Sequence, residues 1–207
     1  MLSNKKILNT LLNQKFEKPN PIDHTLNKIF LWAFPTFIKP NHLTLFRYFS
    51  TPIIFYLLLY HYYFFGLIFF SISALTDALD GAMARIRKKI TNWGKIHDPL
   101  ADKIFIGATG SIVIVRYLNL EIFLTIIFLE LITILTAFFL YDRKNNPGAQ
   151  IPGKIKMVFQ TLGITLLIIY IITKAPILLT ISLLSFLISI FFSFVNLMFC
   201  IYFLKSI

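Results

Sequence analysis

Acidic residues and cysteine are scarce in this sequence of 207 residues. The single cysteine, Cys200, excludes an intramolecular disulfide and any metal site built from several thiolates. Aspartate and glutamate together number 9, against 20 lysines and arginines, which gives a net charge of +11. The first 24 residues are polar and basic and lack the apolar core and cleavage site of a secretory signal. Because acids are so few, a cluster of them is the most informative feature of the chain.

Apolar residues are in excess. They make up 57% of the sequence, and 16% of it is aromatic, whereas a soluble domain is about 45–50% apolar. A helix needs roughly 20 apolar residues to cross the hydrocarbon core of a bilayer. Segments that approach this length lie at residues 43–60, 63–84, 97–117, 119–141, 155–173 and 177–203. We therefore predict an all-α polytopic membrane protein with six transmembrane helices.

The segment before the first predicted crossing differs from the rest of the chain. Residues 25–38 carry an apolar face beside polar and basic residues, which predicts an amphipathic helix on the membrane interface. A plain hydrophobic linker is the alternative. We predict a cytoplasmic basic arm with this interfacial helix over residues 1–42, and a six-helix membrane domain over residues 43–207.

The basic residues are distributed unevenly along the chain. Most lie in the N-terminal arm and in the loops after the second and fourth predicted crossings. By the positive-inside rule, both termini and both of these loops are predicted to be cytoplasmic, in what we expect to be a bacterial inner membrane. Anionic lipid headgroups account for this basic excess, so nucleic acid is not an expected partner.

Four aspartates lie at the predicted cytoplasmic ends of the second and third crossings. Residues three or four apart share a helix face, so Asp77 and Asp80 project together, as do Asp98 and Asp102. The short intervening loop makes these helices antiparallel neighbours, so that the two pairs can face each other. Carboxylates gathered in a low dielectric repel unless cations neutralise them, and few basic residues share these helices. All-oxygen ligation favours Mg²⁺, Mn²⁺ or Ca²⁺ over zinc, and four carboxylates suffice for two ions.

The residues around this cluster resemble the signature of the CDP-alcohol phosphotransferase family. The match holds at every defined position: Asp77, Asp80, Gly81, Ala84, Arg85, Gly94, Asp98 and Asp102. Residues 40–47 resemble the family's entry to its first helix. Residues 98–103 resemble the branches that make phosphatidylglycerophosphate and cardiolipin, and the stretch from Gly153 to Gln160 resembles the first of these.

The resemblance implies a six-helix fold, usually a homodimer, that transfers a phosphatidyl group from CDP-diacylglycerol to an alcohol and releases CMP. It implies that Asp77, Asp80 and Asp98 bind divalent metal, Mg²⁺ or Mn²⁺, expected as two ions. Asp102 would complete the metal site and act as the catalytic base. The residues implied to hold the cytidine diphosphate are Gly81, Arg85 and Gly94, with Asn41 and Thr44 as further contacts.

We predict glycerol 3-phosphate as the acceptor, which would give phosphatidylglycerophosphate in phospholipid biosynthesis. Candidate cations for its phosphate are Arg143, Lys144, Lys154 and Lys156, for which a purely topogenic role is the alternative. Leu129, where the branch tends to have arginine, and Met157, where threonine is frequent, depart from the branch pattern. Cardiolipin synthesis and inositol phosphate or archaeal lipid acceptors therefore stay open. The alternative from another class is a cation transporter, since intramembrane carboxylates also bind ions in transit.

Two further ionisable residues lie near these motifs. Glu130, a lone acid in the fourth crossing, is interpreted either as a buried hydrogen-bonding group or as a polar contact in the acceptor cavity. His97 is interpreted as a packing or interfacial residue, because on a helix it points about 100° away from its neighbour Asp98.

Overall fold

A computed structural model describes residues 40–86, 92–141 and 151–205, with side chains for 42–77, 97–98, 100–136 and 151–202. The described residues form helices and no strands, so the predicted all-α class is confirmed. The helices are α1 (Pro40–Leu59), α2 (Tyr63–Ile86), α3 (Asn92–Tyr117), α4 (Leu120–Tyr141), α5 (Ile151–Thr173) and α6 (Pro176–Lys205). The predicted interfacial helix over residues 25–38, together with Arg143 and Lys144, lies outside the described residues.

Each helix corresponds to one predicted apolar segment. The observed helix bounds differ most from the predicted ones at the starts of α3 and α5. These helices begin at Asn92 and Ile151 rather than at residues 97 and 155. An apolar count leaves out the polar first turn of a helix, although its backbone is helical. Within the described residues, three stretches are long and apolar enough to cross a membrane: His42–Leu59, Ile151–Thr173 and Pro176–Tyr202.

The outer surface of the helices is apolar. Phe49 on α1, Val158 on α5 and Phe191 on α6 are all more than 60% exposed. Many other large apolar side chains on the described helices are also exposed. An exposed apolar surface of this extent is a membrane-facing surface rather than a water-facing one. The chain is therefore an integral membrane protein.

Helices α5 and α6 form the most extensive pair in the bundle. Gly163 on α5 permits their close approach, since a Cβ at this position would lie 2.9 Å from Cζ of the buried Phe186. The Ser182 hydroxyl on α6 donates a hydrogen bond of 2.8 Å to the Gly163 carbonyl oxygen. Contacts with α5 and α6 then hold α2, α3 and α4 against this pair.

The first three helices run alternately up and down. At one end of the bundle, Tyr63 at the start of α2 lies 2.6 Å, hydroxyl to hydroxyl, from Tyr117 at the end of α3. The turn before α2 has His61 in the left-handed backbone region, with φ of 66°, and its Nδ1 lies 2.6 Å from the Tyr63 hydroxyl. The opposite end gathers the starts of α1 and α3 with the end of α2, and it carries the aspartates.

Candidate active site

Arg47 on α1 joins the two acidic helices. Its Nη2 lies 2.9 Å from Oδ1 of Asp77 on α2, and its Nη1 forms an ion pair with Oδ1 of Asp102 on α3. The Arg47 side chain is fully buried, whereas that of Asp77 is 38% exposed and that of Asp102 is 13% exposed. A planar guanidinium has separate N–H groups that suit two carboxylates at once. Arg47, a residue of α1, therefore fixes the relative positions of α2 and α3.

The same face of α1 also binds the third aspartate. The hydroxyl of Thr44, one turn before Arg47, donates a hydrogen bond of 2.6 Å to Oδ1 of Asp98. The next residue after Arg47, Tyr48, donates from its hydroxyl to the backbone oxygen of His97 at 3.2 Å. Residues three apart share a helix face, so Thr44 and Arg47 hold the start of α3 from one side.

The charges of this cluster do not balance within the described side chains. Asp77, Asp98 and Asp102 face the single guanidinium of Arg47. The expectation that few basic residues share the helices of the aspartates overlooks α1, which supplies Arg47, and Lys103, which follows Asp102 on α3. Even with Lys103 counted as a second cation, three carboxylates face two positive charges, so these described side chains retain a net negative charge.

A cavity of about 480 Å³ lies between α3, α4 and α5. Asp98 and Asp102 line it together with the polar side chains Lys103, Glu130 and Lys156. The rest of the lining is mainly apolar: Leu100, Ile104, Ile106, Ile114, Phe123, Ile126, Ile127, Leu131, Ile134, Met157 and Phe186. The cavity thus combines a polar end with apolar walls, as ligand sites commonly do.

A second ion pair lies in this cavity. Nζ of Lys156 on α5 lies 2.7 Å from Oε1 of Glu130 on α4, and both side chains are mostly buried, at 6% and 12% exposed. Nε2 of Gln160, one turn further along α5, donates to the same oxygen at 3.3 Å. Glu130 is thus a largely buried hydrogen-bonding group, the first of its two interpretations. It also lines the cavity, and its contact with an acceptor stays a prediction.

The structure places some of the predicted site residues and not others. Asp77, Asp98, Asp102 and Thr44 come together, and Lys156 shares the cavity with two of them. Lys154 is exposed and is not among the residues that line the cavity. Gly81 and Gly94 lie on the described helices α2 and α3. The side chains of Asn41, Asp80 and Arg85 lie outside the described part, as does the whole of Arg143.

Among the described side chains, no three histidine, cysteine, aspartate or glutamate residues are close enough together to hold a metal ion. The described side chains do not include that of Asp80, the fourth aspartate of the sequence motif.

Sequence reasoning missed the partners of the acids. Arg47 lies in the first-helix motif and among the basic residues before the first crossing, but the sequence alone gives it no acidic partner. The Glu130–Lys156–Gln160 group joins residues 26 to 30 positions apart on two helices. The one available signal for it was the lone acid in an apolar segment, because such an acid needs a partner.

The chain matches a family of known proteins over most of its length. The model of the CDP-alcohol phosphatidyltransferase family covers residues 37–201. The chain belongs to this family of membrane-bound transferases, as its aspartate motif predicted. Neither this match nor the relatives described next favour a cation transporter.

Several similar proteins share one name, CDP-diacylglycerol–glycerol-3-phosphate 3-phosphatidyltransferase. That of Aquifex aeolicus is 34% identical over 128 residues, which are 60% of this chain and 72% of the relative. That of Rickettsia typhi is 28% identical over 136 residues, or 63% of this chain and 75% of the relative. That of Mycoplasma genitalium is 31% identical over 144 residues, or 68% of this chain and 60% of the relative.

Proposed function

We propose that this enzyme transfers the phosphatidyl group of CDP-diacylglycerol to glycerol 3-phosphate, forming phosphatidylglycerophosphate and CMP in phospholipid biosynthesis. The observation that carries the proposal is the gathering of Asp77, Asp98 and Asp102 around Arg47 and Thr44, with Asp98 and Asp102 lining a largely apolar cavity. A lipid-tailed donor needs apolar surface beside a polar reaction centre. The names of the similar proteins support the choice of acceptor.

We further propose that residues 1–42 form a basic arm with an interfacial helix, and that residues 43–207 form one domain with six membrane crossings. The bundle end that carries the aspartates would face the cytoplasm of a bacterial cell, at the inner membrane. A soluble acceptor would then enter from the cytoplasm, while the lipid donor enters from the membrane. As in the family, the assembly would be a homodimer.

The aspartates fit a divalent metal ion by the chemistry of their donors. Asp77, Asp98 and Asp102 offer only oxygen ligands with net negative charge, which hard cations such as Mg²⁺ and Mn²⁺ prefer. With Asp80 they would hold two ions. When bound, these ions would neutralise charge on the donor diphosphate and on the departing CMP.

The residues of the chain would position the reactants and move one proton. The oxygen of the acceptor hydroxyl forms a bond to the phosphorus of the phosphatidyl group. The bond between this phosphorus and the bridging oxygen breaks, and that oxygen leaves with CMP. The Asp102 carboxylate accepts the hydroxyl proton as the new bond forms. Arg47 keeps this carboxylate in place through the ion pair described above.

The nucleotide and the acceptor would bind on two sides of Asp98 and Asp102. Gly81, Arg85 and Gly94 would hold the cytidine diphosphate, with Asn41 and Thr44 as further contacts. Thr44 already donates to Asp98, so it would link nucleotide binding to the position of that carboxylate. Lys156, with Arg143 and Lys154, would bind the acceptor phosphate, and Lys156 has the support of lining the cavity.

The proposed reaction predicts which acceptor supports turnover. Purified protein with CDP-diacylglycerol and Mg²⁺ should release CMP with glycerol 3-phosphate, because the acceptor's phosphate has a buried lysine to bind. Inositol phosphate, phosphatidylglycerol and free glycerol serve as matched alternatives in the same assay of CMP release. Release with phosphatidylglycerol and none with glycerol 3-phosphate would replace the proposed reaction by cardiolipin synthesis.

A further inference from the structure

Glu130 is the acid of the cavity that the proposed reaction leaves without a role. It lies on α4, whereas the aspartates lie on α2 and α3, and its side chain is only 12% exposed. Lys156 and Gln160 both direct a donor at its Oε1, from successive turns of one face of α5. These contacts connect α4 to α5 at the polar part of the cavity lining.

Stability alone does not account for this ion pair. Replacing a buried ion pair by well-packed apolar residues is often neutral or stabilising, because taking two charges out of water is costly. The surrounding residues of the cavity, such as Ile127, Leu131 and Met157, are apolar and would accommodate such a replacement. A charged pair inside a membrane protein is therefore expected to have a function.

The ion pair with Glu130 fixes the position of the Lys156 ammonium group. An ammonium group has three N–H donors, and in Lys156 one of them is directed at Glu130. Asp98 and Asp102 line the same cavity and would attract an ammonium that lacked a partner of its own. Glu130 thus holds the Lys156 side chain against α4, so that its ammonium group does not compete for the aspartates. The remaining N–H donors of the ammonium group can then bind an anion.

We propose that Glu130 is a positioning residue that, with Gln160, holds the Lys156 ammonium in place to bind the anionic group of the acceptor. The inference rests on the proposed function and adds to it a residue that sets acceptor affinity. It concerns the acceptor alone, since the donor is assigned to the aspartates and to the residues around them.

The test is the steady-state kinetics of Glu130→Gln, measured as CMP release with glycerol 3-phosphate and CDP-diacylglycerol varied in turn. The KM for glycerol 3-phosphate should rise by about tenfold or more, the scale of one lost charge-assisted hydrogen bond. The KM for CDP-diacylglycerol should change less than twofold. Glu130→Asp should recover part of the acceptor affinity, because it restores the charge.

Two controls separate positioning from folding. Glu121→Gln makes the same chemical change on the exposed first turn of the same helix, and it should leave both KM values unchanged. The double variant Glu130→Met with Lys156→Met replaces the pair by apolar side chains. It should unfold at a temperature close to that of the wild type and still lose affinity for glycerol 3-phosphate.

The outcomes are distinguishable. An acceptor KM that is unchanged or lower in Glu130→Gln would overturn the inference while leaving the proposed function intact, and a lower value would mean that positive potential alone governs binding. Equal increases in both KM values would also overturn it, since they would indicate a general structural defect. If the wild type releases no CMP with glycerol 3-phosphate, the proposed function fails, and the inference that rests on it fails as well.

Discussion

Asp102→Asn is expected to reduce kcat by about 10²–10⁴-fold, the contribution that general-base catalysis usually makes. Asparagine has the shape of aspartate and its carbonyl oxygen can still accept from Arg47, but it cannot take up the proton of the acceptor hydroxyl. The measurement is CMP release at saturating glycerol 3-phosphate, CDP-diacylglycerol and Mg²⁺. Binding of CDP-diacylglycerol, measured separately by its effect on thermal unfolding, should be largely retained.

Asp77→Asn is the matched comparison for this prediction. It makes the same change in the same cluster, at a carboxylate that contacts the same arginine but is proposed to bind metal only. Asp77→Asn should mainly raise the Mg²⁺ concentration that gives the half-maximal rate. At saturating Mg²⁺ its kcat should fall less than that of Asp102→Asn. A folded Asp102→Asn protein that turns over at nearly the wild-type rate would refute the assignment of Asp102 as the base.

Arg47→Met is expected to lower the free energy of unfolding by about 3 kcal/mol, because it leaves the mostly buried carboxylate of Asp102 without its cation, whereas solvent screens the more exposed Asp77. The Arg47 side chain is fully buried and contacts Asp77 and Asp102, so its loss affects α2 and α3 together. Arg47→Lys should have an intermediate effect, since it keeps the charge but has no rigid fork to bridge two carboxylates. Thermal unfolding in detergent is the measurement, and phosphatidyl transfer should be lost with the fold.

The control for this prediction is Arg116→Met, which removes an exposed arginine from the last turn of α3. Surface substitutions of this kind usually change stability by less than about 0.5 kcal/mol. If Arg47→Met unfolded at the same temperature as Arg116→Met, the bridging ion pairs would not stabilise the bundle. The view that α1 positions the aspartates would then be wrong.

The helices could be predicted from the sequence because membrane crossing imposes a minimum apolar length and the intervening turns are polar. Within the described residues each of the six apolar segments corresponds to a helix, and three stretches are long and apolar enough to cross a membrane. The predicted and observed helix bounds differ most at the starts of α3 and α5, where polar first turns extend the helices. The family could be predicted as well, because its signature lies within one short stretch of chain. Acids spaced by one helical turn, such as Asp98 and Asp102, share a face wherever the helix lies.

Contacts between distant segments could not be predicted in the same way. Periodicity gives the face of a helix but not the helix that packs against it, so the pairing of Arg47 with Asp77 and Asp102 was missed. The same is true of Glu130 and Lys156. In both cases an acid in an apolar segment predicts that a partner exists, whereas only the fold identifies the partner.

We propose that the carboxylates of α2 and α3 bind divalent ions in common. Binding of Mn²⁺ to the purified protein, followed by loss of the free-ion signal in electron paramagnetic resonance, tests it most directly. Wild-type protein should bind Mn²⁺, Mg²⁺ should displace it, and Asp98→Asn should weaken binding by about tenfold or more. Equal Mn²⁺ binding by wild-type protein, Asp98→Asn and Asp77→Asn would contradict the account, because the ions would then lie elsewhere.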